Sequence, residues 1–176
     1  SGDGGGVYNN DGTINITGCV FLANSSQHGG GMYSTALVPV NFFNCTFYGN
    51  AASVSGGAIQ NSSSLNLVNC ILHGNTAASG ANINGSLITV TFSCIEGGFT
   101  GAGNTDANPG FTKDPSSGGD NKWGTGDDDY GDLRLQIGSP CIDRGNNSSV
   151  PTTVTTDFAG NPRISGVTVD MGAYEQ

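Results

Sequence analysis

The densest group of side chains that could do chemistry is a run of carboxylates in the C-terminal half of the chain. It comprises Asp127, Asp128 and Asp129, with Asp132 after them and Asp120 before them. Carboxylate oxygens suit Ca²⁺, so these residues are a candidate metal site and calcium is the candidate cofactor. The run lacks the late Glu of the helix-loop-helix calcium motif and does not follow the glycine-rich calcium-binding repeat. A solvated acidic loop is the alternative interpretation.

Residues for acid–base catalysis are scarce. No lysine or arginine precedes Lys113, and the acids before it are Asp3, Asp11, Glu96 and Asp106. A polysaccharide lyase or hydrolase needs a basic residue with carboxylates, or a pair of carboxylates, on one face. Neither set can be assembled here, so we predict no catalytic residues and no enzymatic activity. His28 and His73 fall at different points of the repeat described below, and we predict two surface histidines rather than a metal pair.

The cysteines are regularly spaced. Cys19, Cys45, Cys70 and Cys94 are separated by 26, 25 and 24 residues, and Cys141 stands apart. The absence of a C-x-x-C spacing disfavours zinc. Cysteines that stack in register point the same way, which makes the disulfide dihedral hard to reach, so we expect a ladder of buried thiols. An odd number of cysteines leaves at least one unpaired, and Cys141 is either buried or a lone thiol.

The cysteine spacing belongs to an internal repeat of about 25 residues. Glycine-led openings at Gly4, Gly29, Gly56 and Gly80 run in step with it. Gly, Asn, Ser and Thr interrupt every stretch long enough for an amphipathic helix, which leaves short strands and turns. A repeat of this length suits one coil of a solenoid whose strands form parallel sheets.

The alternation of apolar and polar residues predicts which side chains face inward. It continues on both sides of a corner at Gly18, Asn44 and Asn69. Inward residues of successive coils would stack as three ladders: Cys19, Cys45 and Cys70; Phe21, Phe47 and Leu72; Asn24, Asn50 and Asn75. In the fourth coil Val90 and Phe92 are one place out of register, and Glu96 takes the position of the Phe ladder. The coils are therefore predicted to end near there.

The residue after each regularly spaced cysteine is predicted to face outward. These residues are Val20, Thr46, Ile71 and Ile95, and they are flanked by Leu22 and Tyr48. Together they form an apolar stripe along an outside wall of the solenoid. Either the C-terminal segment covers this stripe, or the stripe is an interface for a lateral protein contact.

The chain has the length of one domain. We divide it into coils over residues 1–96, a Gly/Asp-rich wrapping loop over 97–132 with Trp123 as its only large anchor, and a closing segment over 133–176. Short strands are predicted near 133–137, 150–155 and 167–171. The net charge of −9 with only 5 basic residues disfavours nucleic acid and anionic lipid as partners. No apolar stretch is long enough to span a membrane.

The repeats and the tail carry a family resemblance. A glycine-led opening combined with F-x-x-N at residues 21–24 and 47–50 resembles the repeats of right-handed parallel β-helix proteins, including polymorphic outer-membrane proteins and secreted bacterial surface proteins. The segments 133–146, 157–163 and 169–175 are similar to the closing segment of choice-of-anchor Q β-helix proteins. The resemblance implies an all-β fold, a right-handed parallel β-helix (solenoid) of about four coils with an irregular C-terminal closing segment. It also implies an exported bacterial protein, secreted or at the cell surface, and it implies no reaction.

We therefore predict an extracellular structural or adhesive module. The chain opens on a full repeat at Gly4 without a cap, and a bare coil end exposes strand edges, so head-to-tail self-association into filaments is the sharper form of this hypothesis. The alternative is a carbohydrate-binding or polysaccharide-active module in which Tyr33, Tyr48 or Trp123 stacks on sugar rings. The predicted partners are thus further copies of the protein or glycans.

Overall fold

The computed structural model describes residues 2–176, and its body is a parallel β-helix of about four coils. The first coil contains β1 (Val7–Asn9), β2 (Ile14–Thr17), β3 (Val20–Leu22) and β4 (Ser25–His28). The second contains β5 (Met32–Ser34), β6 (Val40–Phe43), β7 (Thr46–Tyr48) and β8 (Ala51–Ser55). The third contains β9 (Ile59–Asn61), β10 (Leu65–Val68), β11 (Ile71–His73) and β12 (Thr76–Ser79). The fourth contains β13 (Ile83–Gly85), β14 (Ile88–Thr91) and β15 (Cys94–Ile95).

Equivalent strands of successive coils pair in parallel and form four sheets along the solenoid. We number them in the order in which the chain visits them: sheet 1 is β1-β5-β9-β13, sheet 2 is β2-β6-β10-β14, sheet 3 is β3-β7-β11-β15 and sheet 4 is β4-β8-β12. The predicted all-β solenoid is therefore confirmed. Within residues 2–176, no helix is long and apolar enough to cross a membrane.

The core runs down the middle of the coils. Phe21, Phe47 and Leu72 occupy one register position, and the rings of Phe21 and Phe47 stack with their centroids 4.4 Å apart. Phe42 packs edge-on against Phe47 and is completely buried. Because each inward side chain lies on its equivalent in the next coil, apolar contacts continue along the whole solenoid.

Residues with positive φ make the corners. Asn44 and Asn69 have φ of 50° and 57°, a conformation that asparagine tolerates better than most residues. At the corner between sheets 4 and 1, a Cβ on Gly30 would lie 2.6 Å from the carbonyl oxygen of Ala51 in the next coil. Only glycine fits there, because the two backbones approach too closely for a side chain.

The fourth coil is in register, contrary to the prediction. Ile88 and Val90 pair with Leu65 and Leu67, and Ile95 pairs with Leu72 and points into the core. The prediction that Glu96 takes the Phe ladder position was therefore wrong. It aligned the coil by Cys94, whereas this coil is shorter and the apolar pair begins at Ile88.

Ser93, not Cys94, continues the cysteine ladder. The thiols of Cys19, Cys45 and Cys70 each donate to the carbonyl oxygen two residues before them, at 3.3 to 3.4 Å. The Ser93 hydroxyl makes the same contact with Thr91 at 2.9 Å. Cys94 consequently faces outward, at the register position of Thr46 and Ile71 in the coils before it.

The chain then covers the end of the last coil. Thr105 forms a parallel bridge with Cys94, and the amide of Phe92 donates to the carbonyl oxygen of Ala102 at 2.8 Å. Asn104 accepts from the amide of Ser93 and donates to the carbonyl oxygen of Val90. Residues 101–105 therefore occupy the edge of β15, to which a second copy would have to bond in head-to-tail association.

An antiparallel pair follows, made by β16 (Phe111–Lys113) and β17 (Asp132–Leu135). We call residues 111–135 the hairpin arm. Phe111 is a second large anchor of the wrapping loop, since only 4% of it is exposed. β17 matches the strand predicted near 133–137.

The other two predicted strands of the closing segment are absent. Residues 150–155 and 167–171 form turns and bends, preceded by a short 3-10 helix at Asn147–Ser149. Backbone amides in the second of these segments donate to side chains and not to a neighbouring strand. The amides of Val167 and Thr168 donate to Asp143, and the amide of Val169 donates to Asn147.

The closing segment and the hairpin arm cover the outer face of sheet 3. Ile71 packs with Cys94, Phe111, Leu133, Leu135, Cys141 and Met171, while Val20 and Tyr48 pack at the border of this cluster. The amide of Ala173 donates to the Thr46 hydroxyl at 3.0 Å. Thr46 and Ile71 of the predicted apolar stripe are thus buried within the chain, and Val20 and Tyr48 are half-buried. Ile95 faces the core, so the stripe does not form a free lateral interface. Leu22, at its edge, is half-buried.

Candidate functional site

The acidic run shapes the loop between the strands of the hairpin arm. Backbone amides of Gly124 and Thr125 donate to Asp128 at 2.6 and 2.9 Å, and the amide of Gly119 donates to Asp127 at 2.8 Å. Hydrogen bonds from the Thr125 hydroxyl and the Gly119 amide lower the pKa of Asp127. Both carboxylates are therefore already engaged by the loop itself.

The remaining acids of the run have separate partners. Asp129 pairs with Lys113, Asp132 pairs with Arg134, and each pairing lowers the pKa of the carboxyl concerned. Asp120 accepts from the amide of Lys122. Within residues 2–176, no three His, Cys, Asp or Glu side chains are placed to hold a metal ion. The carboxylates of the predicted calcium site thus turn to different donors instead of converging on one point.

A cleft of about 480 Å³ opens between the hairpin arm and the second and third coils. Gly49 and Gly74, with φ of 63° and 66°, form the corner of the solenoid at its floor. A Cβ on Gly49 would lie 3.8 Å from the ring of Trp123, so Trp123 lies directly over this corner. The absence of side chains at these two glycines leaves room for the cleft.

Aromatic rings line one side of this cleft. Trp123 stacks on Tyr130 with a centroid distance of 5.8 Å and an interplanar angle of 26°. Tyr48 lines the cleft as well, and its ring packs edge-on against Phe111 at 5.7 Å. The rings of Trp123 and Tyr48, each packed against a second aromatic ring, therefore line the same concave surface.

Polar groups complete the lining. Ser116, Ser117, Asn121 and Thr76 contribute hydroxyl and amide groups. Burial, with a smaller contribution from the nearby carboxylates, raises the pKa of Tyr48, so its phenol stays protonated and can donate. Apolar ring surface bordered by a few hydrogen-bonding groups is the usual character of a small-molecule site.

Tyr33, the third predicted stacking residue, lies on a different wall. It stands on the outer face of sheet 1 in a row with Tyr8, Gln60 and Asn84. The rings of Tyr8 and Tyr33 are 5.6 Å apart and inclined by 44°. The structure thus brings Tyr48 and Trp123 together and leaves Tyr33 apart.

The two histidines lie at different points of the repeat, as predicted, on sheets 4 and 3. His28 contacts the Ser55 hydroxyl at 2.9 Å, and this hydroxyl donates to Gln60. His73 lies opposite Tyr48 on sheet 3, with its Nδ1 3.8 Å from the carboxylate of Glu96. They form no common site.

A second cleft, of about 530 Å³, lies between the closing segment and residues 101–105. Phe92 lines it, but that ring packs against Gly103. Asp143 lines it too, and its carboxylate accepts from the amides of Val167 and Thr168. These two lining residues are therefore already engaged within the chain, and among residues 2–176 Phe92 is the only aromatic ring that lines this cleft.

Sequence reasoning named the rings of the first cleft but not their proximity. Trp123 and Tyr48 are 75 positions apart in the chain, and only the hairpin arm brings both into one cleft. The available signal was the pair Gly49 and Gly74, which the repeat places one coil apart with no side chain at the corner.

The chain matches no protein-family model, no curated protein and no solved structure. The resemblance to choice-of-anchor Q proteins, and the bacterial origin and export that it implies, therefore stay predictions.

Proposed function

We propose that the protein is an extracellular adhesive module in which the β-helix serves as a rigid structural body and the cleft beside Trp123 binds a neutral glycan. The observation that carries this proposal is the placement of Trp123 over the glycine corner, next to Tyr48 and a rim of hydroxyl and amide groups. In this proposal the protein acts by binding and does not cleave its ligand.

The chemistry of the lining favours a sugar. A pyranose ring has a face of C–H groups that packs on an aromatic ring, and its hydroxyl groups lie around its edge. Trp123 supplies a ring held in place by Tyr130, and Ser116, Ser117 and Asn121 supply groups that can exchange hydrogen bonds with hydroxyls. The lining therefore matches both parts of a sugar.

The surrounding charge favours a neutral glycan over an acidic one. The hairpin arm carries Asp114, Asp120 and the run 127–129, against the lysines Lys113 and Lys122. Lys113 is already paired with Asp129. An acidic polysaccharide would meet like charge at this cleft, which disfavours its approach.

The single tryptophan of the chain gives a direct assay. Titration of the protein with soluble neutral polysaccharides should change the emission of Trp123 and reduce its quenching by acrylamide, because a stacked sugar shields the ring. An acidic polysaccharide should bind more weakly in the same titration, and the difference should shrink at high salt. If no neutral glycan in a broad panel changes the emission, the proposal fails.

Calorimetry on two variants locates the site. Trp123→Ala should abolish binding, whereas Tyr33→Ala, a matched aromatic loss on the other wall, should bind like the wild type. Equal losses in both variants, or binding that survives Trp123→Ala, would contradict the assignment of the cleft. Release of new reducing ends during incubation would show that the ligand is cleaved and would favour the polysaccharide-active alternative.

End-to-end self-association stays a prediction. Electron microscopy and light scattering of the purified protein test it separately from glycan binding. Because residues 101–105 bond along β15, filaments built by simple stacking of coils would require that segment to move.

A further inference from the structure

Two cysteines meet where the closing segment packs on the last coil. Cys94 faces outward from β15 because Ser93 takes the inward ladder position. Cys141 lies opposite it in the closing segment. Both are free thiols with 0% exposure, both belong to the buried cluster that contains Ile71 and Met171, and each thiol shifts the pKa of the other.

We propose that Cys94 and Cys141 form a disulfide when the protein folds in an oxidising environment, and that this bond fastens the closing segment to the last coil. The reaction is exchange with a small-molecule disulfide such as oxidised glutathione. One cysteine thiolate attacks that disulfide and displaces one glutathione thiolate, which leaves a mixed disulfide. The second cysteine thiolate attacks the protein sulfur of that mixed disulfide and displaces the other glutathione. The two protein thiols thus lose two protons and two electrons, which the two reduced glutathione molecules carry away.

The contact between these two cysteines differs from the contacts within the ladder. Cys45 and Cys70 both direct their thiols to the carbonyl oxygen two residues earlier in their own strand, so their side chains run parallel. Parallel side chains disfavour the dihedral near 90° that a disulfide needs. Cys94 and Cys141 come from separate segments that face each other, and this restriction does not apply to them.

In the folded protein the two sulfurs interact with each other and with the backbone. The Cys94 sulfur contacts the carbonyl oxygen of Ala107 at 3.0 Å. The hydrogen bond with Cys141 lowers the pKa of Cys94, and the same contact together with burial raises the pKa of Cys141.

The bond would enclose residues 95–140, which include the whole hairpin arm. Because neither sulfur is exposed in the folded protein, exchange takes place while the closing segment is still docking, and the finished disulfide resists reduction. The inference draws on the proposed extracellular location only for the oxidant. The test supplies that oxidant, so its outcome does not depend on whether the cleft binds a glycan.

The experiment is a count of free thiols with peptide mapping. Reduced protein is refolded in a buffer of reduced and oxidised glutathione, denatured, alkylated without reductant and analysed by mass spectrometry. Of the five cysteines, three should carry the alkyl group, and one linked peptide should join Cys94 to Cys141. Five alkylated cysteines, or a link between Cys45 and Cys70, would overturn the proposal.

Variants give an independent readout. Cys141→Ser should yield four alkylated cysteines and no link, whereas Cys19→Ser, a matched change in the ladder, should keep the link between Cys94 and Cys141. Reductant added to the refolded proteins under partly denaturing conditions should lower the unfolding midpoint of the wild type and of Cys19→Ser, but not that of Cys141→Ser. A midpoint that falls equally in all three would count against the bond. If Cys141→Ser does not fold, the mapping of the wild type still decides.

Discussion

The asparagine ladder gives the sharpest test of how the coils are held together. Asn50 is completely buried in the middle of the ladder. Its Nδ2 donates to Phe21 and to Asn75, each at 2.9 Å, and its Oδ1 accepts from the amide and the side chain of Asn24 at 3.1 and 2.9 Å. Truncation to alanine removes all four of these hydrogen bonds, and water cannot replace them at a buried site.

The size of the effect follows from the number of bonds. At a net contribution of about 1 kcal/mol per buried hydrogen bond, Asn50→Ala should lower the free energy of unfolding by about 4 kcal/mol. Asn24 stands at the end of the ladder and is only partly buried. Its side chain donates a single bond to Asn50, so Asn24→Ala should cost about 1 kcal/mol.

Urea unfolding followed by circular dichroism measures both values, and equal slopes of the transitions would show that the two variants unfold from the same state. Losses of similar size in both variants would refute the reasoning, because the argument depends on bond number and burial. A loss below about 2 kcal/mol in Asn50→Ala would refute it as well.

Three further predictions concern the closing segment and the corners. Arg163→Met leaves the carboxylate of Glu175 buried without its partner, since both side chains are 1% exposed, and should lower the free energy of unfolding by about 3–5 kcal/mol in a urea titration. Gly30→Ala places a Cβ 2.6 Å from a backbone oxygen of the next coil and should cost about 1–3 kcal/mol in the same assay. Burial, with repulsion from Glu175, raises the pKa of Asp170 to about 6. Between pH 4 and 6 the folded protein therefore keeps a proton that the unfolded chain has released. As the pH rises through this window, the free energy of unfolding should fall by up to about 3 kcal/mol, and Asp170→Asn should remove that part of the pH profile.

The first two of these predictions have a matched control in the chain. Arg134 pairs with Asp132 at the surface, so Arg134→Met should leave stability nearly unchanged. A Cβ on Gly126 meets nothing within 4 Å, so Gly126→Ala should leave stability nearly unchanged. If a control variant loses as much unfolding free energy as the variant it is matched to, the contact named for that variant is not the cause of its loss.

The coils could be predicted from the sequence because the same residue types recur at the same positions. A solenoid places equivalent residues on one another, so its inward positions must recur with the coil, and Phe21, Phe47 and Leu72 do so. The fourth coil shows where this reasoning stops. Its shorter length moved Cys94 off the ladder, and only strand pairing revealed that Ser93 makes the ladder contact instead.

The sequence by itself determined the fold class, the three full coils and the corners that need glycine or asparagine, because these depend on local conformation and on contacts between neighbouring repeats. The tertiary structure alone decided what covers sheet 3, which rings share a cleft and which cysteines meet. Those contacts join the coils to residues 97–176, a region without a repeat, where no periodic pattern constrains the pairing. Trp123 over Gly49 and Cys141 against Cys94 are such contacts, since each depends on how one irregular segment folds back on the solenoid.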